Sequence, residues 1–410
     1  MKILLINQAF VSPDEPGHTR HYELAQYLKQ FGHELIIVGS DINYQTGERI
    51  IQHRGMSAEQ NLDGVRVVRA YIYPTLHKSY YWRIFSFVSF MFSSMIASLR
   101  VKDVDLVMGT TPPIFQAASI WLISFLRRKP FLLEVRDLWP EFGISMGVLK
   151  NPIVIWLARW LEMFLYGQAD RILVNSPAYV DYLVCKGVKP EKISFIPYGT
   201  DVEMFNPDVS GTAFRKRFGL EDHFIALYAG ALGQANDIFT LLRAAERLKT
   251  RTKIRILLLG DGKERKHLET EAARLGLDNV IFAGVVPKKE MPEAVSGADV
   301  CLAILQDIPV FRTTYPNKVF DYMAAGKATI LVIDGVIRDL VEKSGGGIYV
   351  PPGDDTRLAE TILELYQNPT LLTQMGKAAR EYMLKHMDRK DKMADTMDLM
   401  VKMTIDGTKP

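Results

Sequence analysis

The sequence has 410 residues, which is too long for one hydrophobic core and predicts two or three domains. Hydrophobic residues make up 48% of it and charged residues 24%, a composition that excludes disordered and collagen-like chains. The two cysteines, Cys185 and Cys301, lie far apart and form no disulfide or metal-binding pattern, which fits a reducing compartment.

The first half of the chain alternates between short apolar runs and helical patterns. The opening residues, MKILLINQAF, become polar too quickly for a signal peptide and predict a first strand instead. Strands are predicted at 3–6, 35–38, 65–69, 106–108, 131–135, 172–174 and 193–196, with helices such as 18–31 and 177–186 between them.

A second series of the same kind follows a polar, turn-rich stretch at 206–220. Its strands are predicted at 224–229, 254–259, 280–282, 300–304 and 329–333, and its helices at 238–248, 263–275 and 317–325. Two such series predict two Rossmann-like domains with parallel sheets, whose ligands bind beyond the carboxyl ends of the strands.

The net charge of +3 is unevenly distributed along the sequence. Residues 78–160 alone carry +5 and contain all five tryptophans. Their segment 80–100 has an uncharged run that falls short of a membrane span, so it predicts a helix that is either packed in the core or in contact with the bilayer. Because basic residues are mixed with aromatic ones, we expect Trp82 and Arg83 to contact an anionic membrane rather than a nucleic acid.

Two loops in the first series carry residues suited to a site. The stretch SPDEPGHTRHYELAQ places Gly17 just before a helix, where backbone amides can approach an anion. The stretch LLEVRDLWPE brings Arg136, Asp137 and Glu141, with Glu134 before them, to the carboxyl edge of a buried strand. Charges gathered at such an edge favour a functional role.

In the second series, three stretches stand out: FIPYGTDVEMF, LLLGDGKERKHLE and YPNKVFDYMAAGK. In the second of these, Lys263 and Arg265 lie in the first turn of a helix, where basic residues oppose the helix dipole unless an anion is present. In the third, helical spacing places Lys318 and Asp321 on a shared face, as an anion site with a carboxylate or as a surface ion pair. The glycines do not form G-x-G-x-x-G, which argues against an NAD-dependent oxidoreductase.

Taken in this order, these stretches resemble the retaining glycosyltransferases of family 4, particularly the bacterial branch that builds O-antigen, capsule or other surface polysaccharides. The resemblance implies an α/β protein of GT-B fold, with two Rossmann-like, doubly wound domains facing a central cleft. The implied domains are an acceptor-binding, membrane-facing domain at 1–207, a nucleotide-sugar-binding domain at 208–385, and a final helix at 386–410 that packs back on the first domain.

The resemblance also implies residue roles in donor binding. Asp321 occupies the position of an acid, usually glutamate, that accepts hydrogen bonds from the ribose hydroxyls of the nucleotide. The acid eight residues earlier, which holds the donor sugar in the family, is replaced by Thr313, so Arg312, Thr313 and Thr314 are the local candidates. Ala231 and Asn236 replace the arginine and lysine that neutralise the diphosphate in the family.

We therefore expect other groups to stabilise the leaving diphosphate. Lys318 and Arg265 are the principal candidates, and Lys263 is a further available cation. The remaining candidates for donor binding are Gly17, the turn containing Gly230 and Gly233, and Asn317.

The resemblance further implies same-face attack, with the leaving phosphate helping to deprotonate the acceptor. Either Asp137 or Glu141 orients the acceptor or the sugar, and Arg136 stands where many members have histidine. The eight histidines show no ligand spacing, so no metal or other cofactor is expected. The expected partners are a nucleotide-sugar, with UDP favoured, and an undecaprenyl-diphosphate-linked saccharide at the inner face of the cytoplasmic membrane, to which a cytoplasmic protein binds peripherally.

Two alternatives remain open at this stage. One is a nucleotide-sugar 2-epimerase of the same fold, which would need no aromatic residues facing a lipid. The other is an inactive relative that acts as a binding subunit, suggested by the missing acid and the missing diphosphate cations.

Overall fold

The computed structural model describes residues 1–15, 19–44, 46–74 and 80–406, and within these ranges all side chains except those of residues 80, 81, 83 and 406. The chain divides into two compact units. Unit 1 comprises Met1–Ile196 and Met393–Pro410, and unit 2 comprises Pro197–Lys392. The chain therefore first leaves unit 1 before residue 207, where the sequence predicted the boundary.

Unit 1 contains an eight-stranded sheet with the order β3-β4-β2-β1-β5-β6-β7-β8. All neighbours pair in parallel except the antiparallel pair β3–β4. The strands are β1 Lys2–Ile6, β2 Glu34–Ser40, β3 Ser57–Leu62, β4 Val65–Ala70, β5 Leu106–Thr111, β6 Phe131–Val135, β7 Arg171–Val174 and β8 Ile193–Phe195. The helices are α1 Arg20–Gln30, α2 Tyr80–Leu99, α3 Ile114–Arg127, α4 Glu141–Ser145, α5 Pro152–Gln168 and α6 Pro177–Cys185.

Unit 2 contains a six-stranded parallel sheet with the order β11-β10-β9-β12-β13-β14. The strands are β9 Phe224–Ala229, β10 Ile254–Leu259, β11 Val280–Gly284, β12 Val300–Ile304, β13 Ala328–Val332 and β14 Gly347–Tyr349. The helices are α7 Thr212–Arg217, α8 Ile238–Arg247, α9 Arg265–Leu275, α10 Met291–Ser296, α11 Asn317–Ala324, α12 Val336–Ser344, α13 Asp355–Gln367 and α14 Pro369–His386. A last helix, α15 Arg389–Asp406, begins in unit 2 and continues into unit 1 at Met393.

Central strands in both sheets are apolar throughout because helices cover both of their faces. In β1, Leu4 and Ile6 enter one hydrophobic cluster while Ile3 and Leu5 enter another on the opposite face. The second of these clusters also contains Met400 and Met403 of α15. The predicted strands are confirmed, and β3 and β14 are additional.

Local sequence explains where several helices begin. The Asn151 side chain accepts hydrogen bonds from the amides of Ile153 and Val154, and Pro152 occupies the first turn of α5. Asp354 caps α13 in the same way through the amide of Arg357 at 2.8 Å. Such caps satisfy amides that have no partner within the helix.

Candidate functional site

The clearest chemical feature of unit 2 is the ammonium group of Lys318 in α11. Its Nζ donates to the hydroxyl of Tyr228 in β9 at 3.1 Å and lies 4.2 Å from the centre of that ring. No carboxylate lies within 4 Å of this nitrogen in the part of the chain that the structure describes. Burial therefore lowers the pKa of Lys318 to about 7.

Tyr322, one turn further along α11, fixes this arrangement. Its hydroxyl accepts from the amide of Ala229 at 2.9 Å and donates to the carbonyl of the same residue at 3.1 Å. Because residues four apart lie on one helix face, this clamp at the end of β9 also holds Lys318 against Tyr228.

The loops that follow β9 and β10 pack together next to Lys318. The Gly230 amide donates to the backbone carbonyl of Leu259 at 2.9 Å, and the Leu232 amide donates to the backbone carbonyl of Asp261 at 2.9 Å. A Cβ at Gly260 would lie 1.8 Å from the carbonyl oxygen of Gly230, and one at Gly230 would lie 2.2 Å from Lys318 Nζ. These glycines thus permit the close approach of the two loops and of the ammonium group.

Several amides of the β9 loop remain available to a ligand, among them the first after Gly230. Those of Ala231 and Gly233 donate no hydrogen bond within residues 1–15, 19–44, 46–74 and 80–406. The Ala231 carbonyl, by contrast, accepts from the Tyr228 hydroxyl at 2.8 Å. Lys318, Tyr228 and this loop therefore form one connected group of polar atoms.

Of the two cations predicted after β10, Lys263 is exposed and Arg265 is paired. Arg265 Nε donates to Glu269 at 2.8 Å, and its guanidinium lies 3.9 Å from Asp261. The hydrogen bond to Glu269 raises the pKa of Arg265. The structure thus brings Lys318 and Gly230 together, with Gly233 further along the same loop, whereas Arg265 makes ion pairs within its own helix and the preceding loop.

Asp321, three residues after Lys318 in α11, has a partner of its own. Its Oδ1 accepts from the hydroxyl of Thr200 at 2.7 Å. Asp321 and Lys318 do not form the surface ion pair that was the alternative interpretation, since among the described residues Lys318 has no carboxylate partner. The amide oxygen of Asn317 is buried and accepts no hydrogen bond in the described ranges.

Thr313 and Thr314, predicted near the donor sugar, lie in the turn before α11. Their hydroxyls donate to the backbone carbonyls of Val310 at 2.6 Å and Phe311 at 2.8 Å. Each hydroxyl oxygen retains acceptor capacity after such a bond.

At the carboxyl edge of the unit 1 sheet, a buried network surrounds Glu134 of β6. His21 Nε2 lies 2.9 Å from the Glu134 carboxylate, and His21 Nδ1 lies 2.9 Å from the side-chain amide nitrogen of Asn7. Burial lowers the pKa of His21 although Glu134 opposes this. A neutral imidazole with its proton on Nε2 satisfies both contacts, because it donates to Glu134 and accepts from Asn7.

Burial alone would raise the pKa of Glu134, but His21, Arg20 and Arg136 outweigh it and hold the pKa well below its usual range. Burial also raises the pKa of Asp137, which the charges of Arg136 and Arg20 oppose. No hydrogen bond to the Asp137 carboxylate is present among the described residues. The structure thus places an available carboxyl group beside two arginines.

Arg136 and Glu141 both have protein partners. Arg136 donates to the carbonyl of Pro112 at 2.9 Å, which ties it to the loop after β5. Glu141 accepts two hydrogen bonds from Arg159 of α5, at 3.0 and 3.1 Å. This pairing joins α4 to α5, and the predicted role of Glu141 at the acceptor stays a prediction.

Aromatic rings of α3 and α5, some exposed and some partly buried, lie next to one another. Trp121 contacts Phe125 and Phe164 with ring centres 6.0 and 4.8 Å apart, and Phe164 stacks on Trp160 at 5.6 Å. We call these four residues, with Trp156, the aromatic surface. Trp156 is 64% exposed, Trp160 56% and Phe125 66%, whereas Trp82 of α2 is 46% exposed and stacks on Tyr73.

Several predictions concern groups for which the structure gives no geometry. Gly17 and the side chain of Arg83 lie outside the described residues. Within the described ranges, no group of three or more histidine, cysteine, aspartate or glutamate side chains could hold a metal ion. No described helix combines the length and apolarity needed to cross a bilayer.

Sequence analysis missed the partners that organise both clusters: Tyr228, Tyr322 and Thr200 in unit 2, and Asn7 and His21 in unit 1. Each is an ordinary residue of a strand end or a helix. The one usable signal was the histidine in the first turn of α1. Its contact with the buried Glu134 depends on β1 and β6 belonging to the same sheet, which local sequence does not reveal.

Comparisons with known proteins agree with this architecture. A model of "Glycosyl transferase 4-like domain" matches residues 17–199, and a model of "Glycosyl transferases group 1" matches residues 211–382. The chain is a group 1 glycosyltransferase of family 4.

A similar relative of this glycosyltransferase is WcaI of Escherichia coli strain K12, whose name refers to colanic acid biosynthesis. It is 24% identical over 407 residues, which cover 95% of this chain and 97% of WcaI. Two solved structures are also similar: sucrose-phosphate synthase from Thermosynechococcus elongatus, at TM-score 0.78 and 19% identity over 98% of both chains, and HepE of Anabaena in complex with UDP and glucose. HepE has a TM-score of 0.75 and 17% identity and covers 98% of this chain and 99% of its own. The glycosyltransferase therefore has the GT-B fold, as the sequence predicted.

Proposed function

We propose that this glycosyltransferase moves a sugar, with retention of anomeric configuration, from a UDP-linked donor to a lipid-linked saccharide in bacterial surface-polysaccharide synthesis. In this proposal unit 2 binds the donor and unit 1 binds the acceptor at the inner face of the cytoplasmic membrane. A deoxy-amino sugar is one donor sugar that fits the proposal.

The observation that carries the donor half is the environment of Lys318. An ammonium group with no carboxylate nearby, beside the free amides of Ala231 and Gly233, suits an anion such as a diphosphate. Lys318 also offers a positive charge for the diphosphate. Such a charge is needed because Ala231 and Asn236 replace the arginine and lysine expected there. The UDP in the HepE structure supports the choice of nucleotide.

In this proposal, the ribose and the sugar of the donor are bound by Asp321, Asn317, Thr313 and Thr314. The carboxylate of Asp321 accepts from the ribose hydroxyls, as a carboxylate with two oxygens can do while it also accepts from Thr200. The threonine hydroxyls contact the sugar in place of the missing acid. Lys263 and Arg265 add positive charge near the β9 and β10 loops.

The reaction proceeds by attack on the face from which the diphosphate leaves. The bond from the anomeric carbon to the phosphate oxygen breaks, the bond to the acceptor oxygen forms, and the acceptor proton passes to the leaving phosphate. Lys318 stabilises the charge that develops on that phosphate. Asp137, a carboxyl group without a hydrogen-bond partner in the described chain, orients the acceptor hydroxyl.

The aromatic surface supports the acceptor half of the proposal. Tryptophan and phenylalanine rings at this exposure fit the headgroup region of a bilayer, and the exposed Arg128 and Lys129 directly after α3 complement anionic lipids. WcaI, by its name, belongs to colanic acid biosynthesis, which supports a polysaccharide product.

Thermal unfolding with UDP, GDP, ADP and NAD, each at saturating concentration, tests the donor. A ligand at a hundred times its dissociation constant stabilises the folded protein by about 2.7 kcal/mol, so the unfolding midpoint rises measurably. We expect a rise with UDP alone, followed by sugar transfer from a UDP-sugar to an undecaprenyl-diphosphate saccharide. A rise with GDP or ADP instead would reassign the donor, and none with any nucleotide would favour the inactive relative.

Sedimentation with anionic liposomes tests the membrane surface. We expect Trp156→Ser combined with Trp160→Ser to shift the protein from the pellet to the supernatant. Phe31→Ser is the matched control, because Phe31 is also an exposed aromatic residue of unit 1, at 52%, but lies at the end of α1. Unchanged sedimentation of the double variant would contradict the membrane contact and leave the transfer reaction untouched.

A further inference from the structure

The amine of Lys318 is enclosed by groups that do not balance a positive charge. From β9 it meets the Tyr228 hydroxyl and ring, and from the following loop it meets Gly230. On α11 itself, the neighbouring titratable groups are Asp321, bonded to Thr200, and Tyr322, bonded to Ala229. None of these is an anion in contact with the Lys318 nitrogen.

We propose that Lys318 is largely uncharged in the free enzyme at mildly alkaline pH and takes up one proton from solvent when the donor diphosphate binds beside it. This inference rests on the proposed function, since it assigns a proton to the donor site. The only bond that forms is an N–H bond, with the proton supplied by water or buffer: the neutral amine becomes an ammonium group that pairs with the arriving anion.

The geometry supports a neutral amine that still has one defined contact. A neutral amine can donate to Tyr228 as an ammonium group does, and the Tyr228 hydroxyl in turn donates a hydrogen bond to the Ala231 carbonyl at 2.8 Å. Burial raises the pKa of Tyr228, so this hydroxyl stays protonated and offers no negative charge. The lowered pKa of Lys318, about 7, agrees with this arrangement.

Gly230 maintains the position of the amine. A Cβ at this residue would lie 2.2 Å from Nζ and 3.1 Å from the Tyr228 hydroxyl, so any side chain would displace the amine from its place. The buried, unbonded amide oxygen of Asn317, the adjacent residue, is a second polar atom here without a partner in the described chain. Both residues that begin α11, Asn317 and Lys318, thus have side-chain polar atoms that can form further hydrogen bonds.

Calorimetric titration with UDP at pH 8, in two buffers that differ in ionisation enthalpy, measures the proton directly. At this pH ordinary histidines are neutral, and UDP is fully ionised because a phosphate loses its second proton near pH 6. We expect the wild-type protein to take up about one proton per UDP bound. We expect the dissociation constant to rise about tenfold per pH unit above the pKa of the free amine.

Lys318→Arg is the informative variant, because arginine stays charged at every pH in this range. We expect it to bind UDP with no proton uptake and with a dissociation constant independent of pH between 7 and 9. Lys377→Arg is the matched control, since Lys377 is an exposed lysine of α14 in the same unit. It should show the wild-type proton uptake.

The outcomes separate this inference from the proposed function. UDP binding by the wild type without proton uptake and without pH dependence overturns the inference but leaves the donor assignment intact. Failure of the wild type to bind UDP at any pH overturns the donor assignment itself. If Lys318→Arg does not fold, Gly230→Ala decides: displacement of the amine should abolish proton uptake, and unchanged uptake would overturn the inference.

Discussion

At the residue scale, Lys318 combines a proposed role in donor binding with a cost to stability. A partly buried lysine without a counter-charge, whose pKa is about 7 in the folded protein against about 10.4 in an unfolded chain, destabilises the fold. The unfolded chain binds more protons than the folded one between these two values, so the cost is largest below pH 7 and shrinks as the pH rises towards 10.

We therefore expect Lys318→Met to raise the unfolding temperature while it abolishes donor binding. The gain should be greatest at pH 6.5 and should shrink by pH 9.5, which differential scanning calorimetry at the two pH values can measure. Lys377→Met, at an exposed position of α14, should change the unfolding temperature little at either pH. A lower unfolding temperature for Lys318→Met would show that the lysine stabilises the fold.

His21 makes a second residue-scale prediction. Burial lowers its pKa, so the unfolded chain binds more protons below about pH 6.5 and the protein loses stability as the pH falls from there. His21→Gln removes this titration, and we expect a flatter dependence of the unfolding temperature on pH between 7.5 and 5.5. His267, whose side chain is 67% exposed, provides the control His267→Gln, which should retain the wild-type slope. Equal slopes in wild type and His21→Gln would contradict the neutral imidazole.

In the group of residues around Lys318, some members could be predicted from the sequence and others could not. Lys318 was identified because it opens a short helix and the expected cations were missing, and this reasoning needs only neighbouring positions. Its partner Tyr228 is 90 residues away, and the contact exists only because α11 packs on the end of β9. No local pattern encodes that proximity.

At the element scale, the strands could be predicted because parallel strands that are covered on both faces are continuous apolar runs. The strand β3, with the sequence SAEQNL, lies at the sheet edge and pairs antiparallel with β4 alone, so it lacks this signal. The three-residue strand β14 lies at the edge of the other sheet and is too short to show any period.

The packing of the β9 and β10 loops gives an element-scale prediction. Gly260 has φ of 132°, and a Cβ there would meet the Gly230 carbonyl oxygen at 1.8 Å. Because backbone has to move to relieve this contact, we expect Gly260→Ala to cost at least about 2 kcal/mol of unfolding free energy, measured by urea denaturation. Gly233→Ala, in the same pair of loops, has no atom within 4 Å of the added Cβ and should cost far less. Similar losses for the two variants would contradict the close approach.

At the scale of the whole molecule, the two units are not two consecutive stretches of chain. Unit 1 contains Met393–Pro410 in addition to its first 196 residues. Met400 and Met403 of α15 share a buried cluster with Ile3 and Leu5 of β1, the central strand of that sheet. The sequence suggested a returning helix, but its amphipathic pattern could not identify which face of which sheet it covers.

We expect Met400→Ala to destabilise unit 1 by about 2–5 kcal/mol, since Met400 is fully buried and the truncation leaves a cavity. Urea unfolding of this variant should be compared with that of Lys402→Ala, an exposed position on the same helix. A loss no larger than that of the control would mean that α15 contributes little to the core.

The division of unit 1 between the two ends of the chain has a consequence for synthesis on the ribosome. The strand β1 precedes unit 2 in the chain, yet α15, whose Met400 and Met403 complete the cluster around Ile3 and Leu5, follows it. Before α15 is made, only α1 of the two helices in this cluster can cover this face of the sheet, and unit 2 has time to fold before unit 1 is complete. Unit 1, whose strands precede unit 2 in the chain, is thus the unit whose core is completed last.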